Sequence, residues 1–152
     1  DRDDNEIQEV ISQFSEIFSR LFWSLALENN SRNIFEYTVD EIKYNFTITP
    51  IIIPFEAKGT IETLLMDAMA ENSAEDNMVV ESAQSYIERL ISARNLKKYL
   101  QHQRLIPKAK FSTVLSVINP EKSTDTMNTI LIQYDWESKA EIRRHFRLLE
   151  YL

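Results

Sequence analysis

The chain has 152 residues, of which 43% are apolar and 27% are charged, and its formal net charge is −7. These values fit one globular domain over residues 1–152 and exclude a disordered chain. One glycine occurs where average usage gives about ten, which excludes glycine-rich nucleotide loops. The absence of cysteine excludes disulfides and thiolate metal sites. No signal peptide and no membrane-length apolar run is visible, which predicts a cytoplasmic protein without a membrane partner.

Charge is distributed unevenly along the chain. Residues 1–88 carry 18 acidic and 5 basic side chains, whereas residues 89–120 carry seven basic side chains and no acidic one. A basic segment in an acidic protein is typical of a phosphate-binding surface. The alternative is a solvated helical face whose lysines pair with the acidic half. The candidate contacts to phosphate or nucleic acid are Lys97, Lys98, Lys108 and Lys110.

The first predicted element is a long amphipathic helix over residues 6–28, with Asn5 as its N-cap. Apolar residues from Ile7 to Leu25 recur at steps of three and four. The apolar face is wide, which predicts packing against a sheet. The strands found in the chain are too few to cover it, so we expect further structure before residue 1.

Two strands are predicted next, over residues 33–39 and 46–53, with a short helical turn at 40–45. The second strand ends in a continuous isoleucine run, which is typical of a strand that is covered on both faces. Pro50 interrupts its hydrogen-bonding ladder and favours an edge position or a bulge. Beyond these strands, the pattern predicts helices over 60–71, 75–92, 95–104, 108–118 and 138–151, and a strand over 127–135 for which a short buried helix is the alternative.

The chain begins with three carboxylates, Asp1, Asp3 and Asp4, directly before the first helix. In an extended segment Asp1 and Asp3 project from the same side, so one Mg²⁺ or Mn²⁺ ion could bridge them. The alternative is an acidic segment in which Asp4 or Asn5 caps the helix.

Two motifs together resemble a known family. The first is Asp1-x-Asp3 before a long amphipathic helix, and the second is an apolar strand ending at Pro54, a loop, and Gly59-x-x-Glu62 opening a helix. This order resembles the bacterial family of unknown function labelled DUF3226, which looks like a divergent branch of the topoisomerase–primase (TOPRIM) fold.

The resemblance implies a helix-rich α/β fold with a small, mostly parallel sheet flanked by helices. It implies Mg²⁺ binding by Asp1 and Asp3. Glu62, in the first turn of its predicted helix, is a further candidate for a catalytic or metal carboxylate near this pair, and the alternative is a carboxylate placed there because the helix dipole favours it. TOPRIM domains also have a metal-binding Glu after the first strand. It has no counterpart here, because the sequence begins at the Asp-x-Asp, so the domain is expected to be incomplete at its N-terminus. The implied activity is Mg²⁺-dependent nuclease or nucleotidyl transfer on nucleic acid, in DNA processing or phage defence.

Two other hypotheses remain open at this point. One is a TOPRIM-like domain that binds without catalysis. The other is a helical interaction module, with a protein partner or a second copy of the chain. The helical module predicts that residues 33–53 and 129–134 do not form one parallel sheet.

The single glycine, Gly59, stands at the start of the Thr60 helix. A chain with one glycine is expected to use it where other residues do not fit. We therefore predict either a positive φ or close backbone packing at Gly59.

Overall fold

The computed structural model describes residues 5–20, 26–55, 59–93, 97–133 and 135–151. Its contacts divide the chain into two compact units, Asp1–Lys58 with His145–Leu152 and Gly59–Arg144. Among the described residues, no helix combines the length and the apolar character needed to cross a bilayer. The elements are α1 (Ile7–Ser19), β1 (Asn33–Val39), β2 (Ile42–Ile48), α2 (Ile61–Ala70), α3 (Ala74–Ser92), α4 (Leu105–Ile118), α5 (Met127–Gln133) and α6 (Ala140–Phe146), with 3₁₀ turns at Lys97–Tyr99, Pro120–Lys122 and Arg147–Tyr151.

The predicted mostly parallel sheet is wrong. In the described part of the chain, the sheet consists of β1 and β2 alone, paired antiparallel. The segment predicted as a strand at 127–135 contains α5, which was the alternative. The isoleucine run at 51–53 is not a strand, because the ladder ends at Ile48 just before Pro50, which lacks the N–H needed to continue it.

The predicted helical turn at 40–45 is also wrong. Asp40 and Glu41 form a two-residue turn with φ values of 49° and 66°, and β2 begins at Ile42. Positive φ at both central residues is the geometry of a type I′ turn, whose twist matches an antiparallel hairpin. The hairpin uses no glycine for this turn, which is why the sequence did not signal it.

The first unit contains α1, the hairpin and the segment that follows it. Helix α1 begins after Glu6, one residue later than predicted, and the backbone N–H of Glu6 donates to Glu9 Oε2 at 2.5 Å. The helix is shorter than the predicted 6–28, since residues 26–28 are not helical and residues 21–25 lie outside the described part. Its buried residues pack in a cluster of Val10, Ile11, Leu27 and Ile52, with Ile7, Phe18, Phe35 and Ile48 beside it.

The second unit is a helical core. Helices α2 and α3 begin and end within one residue of their predicted bounds. Helix α4 begins at Leu105, earlier than predicted, and tolerates Pro107 in its first turn, where a backbone N–H has no partner in the helix. The predicted helix at 95–104 is a 3₁₀ turn over Lys97–Tyr99 where it is described. The core includes Leu65, Met66, Met69, Val80, Phe111, Val114, Ile130 and Trp136.

Candidate functional site

The predicted catalytic carboxylate Glu62 lies in the first turn of α2 and is only 2% exposed. Both of its oxygens are hydrogen-bonded. Thr60 Oγ1 donates to Glu62 Oε2 at 2.6 Å, and Lys108 Nζ of α4 donates to Glu62 Oε1 at 2.5 Å. The carboxylate therefore links the first turn of α2 to α4.

The environment of Glu62 favours its ionised form. Burial by itself would raise the pKa of Glu62, but the hydrogen bonds from Lys108, Thr60 and its own backbone, together with the charge of Lys108, hold that pKa below its ordinary value. At neutral pH the carboxylate is therefore negative and is neutralised by Lys108. A cleft of about 200 Å³ adjoins the pair, with Phe111 and Asp125 also in its lining.

The metal site predicted from Asp1 and Asp3 stays a prediction, because residues 1–4 lie outside the described part of the chain. Across the ranges that the structure describes, no group of three or more His, Cys, Asp or Glu side chains converges to hold a metal ion. Each oxygen of Glu62 already accepts one hydrogen bond, from Thr60 or from Lys108, and the Lys108 charge neutralises the carboxylate that an ion would otherwise attract.

The four lysines predicted to contact phosphate have different surroundings. Lys108 pairs with Glu62, and Lys110 Nζ lies 2.8 Å from Glu88 Oε1 of α3. Lys98 Nζ lies 4.9 Å from the ring centroid of Tyr99. The side chain of Lys97 lies outside the described part. For Lys108 and Lys110, the surroundings match the alternative of lysines that pair with the acidic half of the chain.

Two alternatives were predicted for Gly59, a positive φ or close packing. The structure shows close packing against Thr63, and the φ of Gly59 is not positive. A Cβ added at Gly59 would lie 2.6 Å from Thr63 Oγ1 and 2.9 Å from Thr63 Cβ. Thr63 cannot turn away freely, since its Oγ1 accepts a hydrogen bond from the Thr60 N–H at 3.2 Å. The glycine therefore leaves room for the cap of α2.

His145 is a buried polar residue for which the sequence analysis predicted no role. It is fully buried, its Nε2 accepts a hydrogen bond from the Phe55 N–H at 3.0 Å, and its ring lies 4.2 Å from the Phe55 ring between centroids. The two residues are 90 positions apart, and no local pattern in the sequence points to this contact.

The hairpin has one apolar face that is only partly covered. The register pairs Phe35 with Phe46, Tyr37 with Tyr44, and Val39 with Ile42. Because side chains alternate along a strand, these six residues lie on the same face. The pair nearest the core, Phe35 and Phe46, is half-buried, and the two rings stack with centroids 5.4 Å apart.

The outer half of this face is exposed, and we call it the outer hairpin face. Its four side chains are Tyr37, Val39, Ile42 and Tyr44, with exposed fractions of 40%, 40%, 57% and 51%. The period-two pattern of apolar residues in 35–39 and 42–48 is the signal that could have revealed it. Interpreting 40–45 as a helical turn concealed that pattern.

The surroundings of the outer hairpin face are polar and acidic. The turn beside Val39 and Ile42 carries Asp40 and Glu41, both exposed. On the opposite face, Lys43 Nζ pairs with Glu36 Oε1 at 3.0 Å. The outer hairpin face is therefore bordered at its tip by two carboxylates.

No family model, no curated protein and no solved structure matches this chain.

Proposed function

We propose that this chain is a non-catalytic binding module that recognises another protein through the outer hairpin face. The observation that carries the proposal is the exposure of four large apolar side chains on the face whose inner half packs into the core of the first unit. Contiguous exposed apolar residues rimmed by polar ones are typical of protein interaction sites.

The composition of this face suits a protein partner. Tyrosine is enriched at the centres of interfaces because it buries a large area at low cost in side-chain entropy. Covering a half-exposed Ile or Val contributes on the order of 1 kcal/mol. The cross-strand pairs Tyr37–Tyr44 and Val39–Ile42 therefore offer a compact apolar surface on which a partner can be centred.

The charges around the face indicate the chemistry of the partner. Asp40 and Glu41 stand at its tip, and the whole chain has a net charge of −7. Opposite charges at the rim favour encounter and fix the register of a complex. The partner we expect is a protein segment with an apolar ridge flanked by Lys or Arg. The same negative charge disfavours nucleic acid and anionic membranes.

Catalysis on phosphodiesters has less support from the described residues. That hypothesis required a parallel sheet to position Asp1 and Asp3, and the sheet is an antiparallel hairpin. Its third carboxylate, Glu62, is held by Lys108 and Thr60. The enzymatic hypothesis now depends on Asp1 and Asp3 alone.

The test is a peptide display selection against the intact chain, followed by fluorescence anisotropy with the selected peptides. We expect selected peptides to combine apolar residues with Lys or Arg. We expect Ile42→Thr to weaken their binding about tenfold, in line with the loss of one well-buried contact. The matched control is Ile34→Thr, the same change at a residue that is 73% exposed on the opposite face.

Three results would contradict the proposal. The first is equal binding by Ile42→Thr and Ile34→Thr, which would place the contact elsewhere. The second is a preference for acidic peptides. The third is a dimer in sedimentation that Ile42→Thr abolishes, because the face would then be occupied by a second copy of the chain.

A further inference from the structure

Among the described residues, strand β1 has β2 as its one neighbour, so the other edge of β1 is open. The two-residue turn makes Val39 and Ile42 a hydrogen-bonded pair. In an antiparallel ladder such pairs alternate with pairs whose backbone groups point outward. The outward positions of β1 nearest the turn are therefore Glu36 and Thr38, and their N–H and C=O groups face away from β2.

These outward backbone groups have no hydrogen-bond partner within the ranges that the structure describes. The contact of Glu36 with Lys43 involves its side chain only, and no backbone bond from outside the hairpin reaches Glu36 or Thr38. Residues 36–39 are exposed on both faces of the strand, whereas alternate residues before them are half-buried. Donors and acceptors that repeat every second residue along an open edge are the groups with which an added β-strand pairs.

The charges beside the two edges of the hairpin distinguish them. The outer edge of β2 carries Lys43, and a lysine on an edge strand opposes the approach of another strand. The edge of β1 carries Glu36, with Asp40 and Glu41 at its end. Although Glu36 and Lys43 pair across the hairpin, the carboxylate is the group nearer to the β1 edge. A basic segment is therefore attracted to β1, whereas a second copy of the chain would bring the same carboxylates against it.

We infer that the partner binds as an extended segment that adds a third strand to β1 along residues 36–39, with apolar and basic residues in alternation. This inference rests on the proposed function and names how the partner is held. Strands lie about 4.8 Å apart, so an aromatic side chain on the added strand passes over Val39 and reaches Ile42. Its Lys or Arg side chains lie on the opposite face beside Glu36. Ile34 precedes this stretch and takes no part.

The first test is amide hydrogen exchange of the wild-type chain with and without a peptide from the display selection. We expect the Glu36 and Thr38 amides to exchange about tenfold more slowly, or slower still, at saturating peptide, because they gain hydrogen bonds. The Lys43 amide points outward on the other edge and should not change. In the peptide, N-methylation should lower affinity about tenfold at alternate residues, whose N–H groups face β1, and have little effect at the residues between them.

A matched pair of proline substitutions then locates the edge. Thr38→Pro removes one outward N–H of β1, and Thr47→Pro makes the same change on the outer edge of β2. We expect Thr38→Pro to weaken peptide binding about tenfold and Thr47→Pro to leave it unchanged. Circular dichroism shows whether each variant folds, and the exchange and N-methylation measurements need neither variant.

Three results would overturn strand addition: protection of Lys43 in place of Glu36 and Thr38, equal sensitivity to N-methylation at every peptide position, or selected peptides with apolar residues at helical spacing. If Ile42→Thr still weakens binding in these cases, the outer hairpin face remains the binding site and only this inference fails. Protection of the β1 edge without peptide, together with a dimer in sedimentation, would assign the edge to a second copy. Selection of no binding peptide would overturn the proposed function and this inference with it.

Discussion

Lys108 Nζ lies 2.5 Å from Glu62 Oε1, and this ion pair joins α4 to the first turn of α2. Glu62 is 2% exposed, whereas the Lys108 side chain is 59% exposed. The carboxylate therefore carries most of the desolvation cost of the pair. Removing the lysine that pairs with Glu62 is therefore expected to lower the free energy of unfolding rather than to abolish a catalytic activity.

Replacing the lysine tests this role. Lys108→Met leaves a buried carboxylate with one hydrogen bond fewer, and we expect the free energy of unfolding to fall by about 2 kcal/mol, which is below the range for fully buried pairs because Lys108 is partly exposed. Urea denaturation measures the change. The matched control is Lys110→Met, whose partner Glu88 is exposed, and we expect no measurable change there. Equal effects of the two substitutions would contradict the assignment.

The depressed pKa of Glu62 predicts a dependence of stability on pH. Since the pKa is lower in the folded than in the unfolded chain, the stabilisation is complete above the unfolded value of about 4.3 and is lost as pH falls through the folded value. Wild type should therefore lose more stability than Glu62→Gln between neutral pH and about pH 3. Denaturation curves across this range give the comparison. Equal losses of stability in wild type and Glu62→Gln would show that other carboxylates account for the pH dependence.

Gly59→Ala should destabilise the second unit. The added methyl group would meet Thr63, which must shift and weaken its hydrogen bond with the Thr60 N–H. We expect a loss of about 1–3 kcal/mol, typical of overpacking. The double variant Gly59→Ala/Thr63→Ala removes the obstructing side chain, so its loss should be smaller than the sum of the single losses. Strict additivity in denaturation measurements would contradict the close approach.

Glu41→Gly should stabilise the hairpin and weaken partner binding. Glu41 has a φ of 66°, a conformation that costs a non-glycine residue on the order of 1 kcal/mol. The substitution should raise the denaturation midpoint, yet it removes one carboxylate beside Val39 and Ile42. Glu41→Asn keeps the turn and also removes the charge, so it should weaken peptide binding similarly. A rise in affinity for basic peptides in either variant would contradict the proposed role of charge.

The metal hypothesis has its own test, a calorimetric titration with Mn²⁺ of the wild type and of the Asp1→Ala/Asp3→Ala variant. If these carboxylates hold a divalent ion, as the sequence predicts, the heat of binding should be lost in the variant. Identical isotherms would remove the metal site and the phosphodiester hypothesis with it. Peptide binding should be the same in both proteins, because the outer hairpin face does not include these residues.

Sequence periodicity predicted correctly the elements that depend on contacts between residues close in sequence. Helices α2 and α3 were predicted because their apolar residues recur at helical spacing. The strand β1 was predicted over the same seven residues, 33–39, in which apolar and polar side chains largely alternate. These elements depend on contacts between near neighbours in the sequence, which periodicity reports directly.

The errors arose where a short apolar run fits more than one structure. Residues 51–53 and 127–133 are rich in apolar residues, and such runs occur in buried strands and in buried helices alike. Pro50 could have been taken as the end of the ladder rather than as an edge position within it. The mistaken parallel sheet was implied by the family resemblance, and counting both runs as strands agreed with it.

The candidate sites depend on contacts that no local pattern reports. Glu62 and Lys108 are 46 positions apart, and their charges could be paired only once α2 and α4 are placed. Only the outer hairpin face was readable from the sequence, through the alternation on either side of Asp40 and Glu41.

The contact between Phe55 and His145 has a consequence for the order of folding during synthesis. The unit Gly59–Arg144 is continuous in sequence, so all of its chain has left the ribosome before His145 emerges. The other unit combines Asp1–Lys58 with His145–Leu152, so its contacts are complete only after these last residues emerge. At elongation rates of about 5–20 residues per second, this delay lasts several seconds. During that time the early segment lacks the imidazole that accepts the Phe55 N–H, and it is then most exposed to chaperones and proteases.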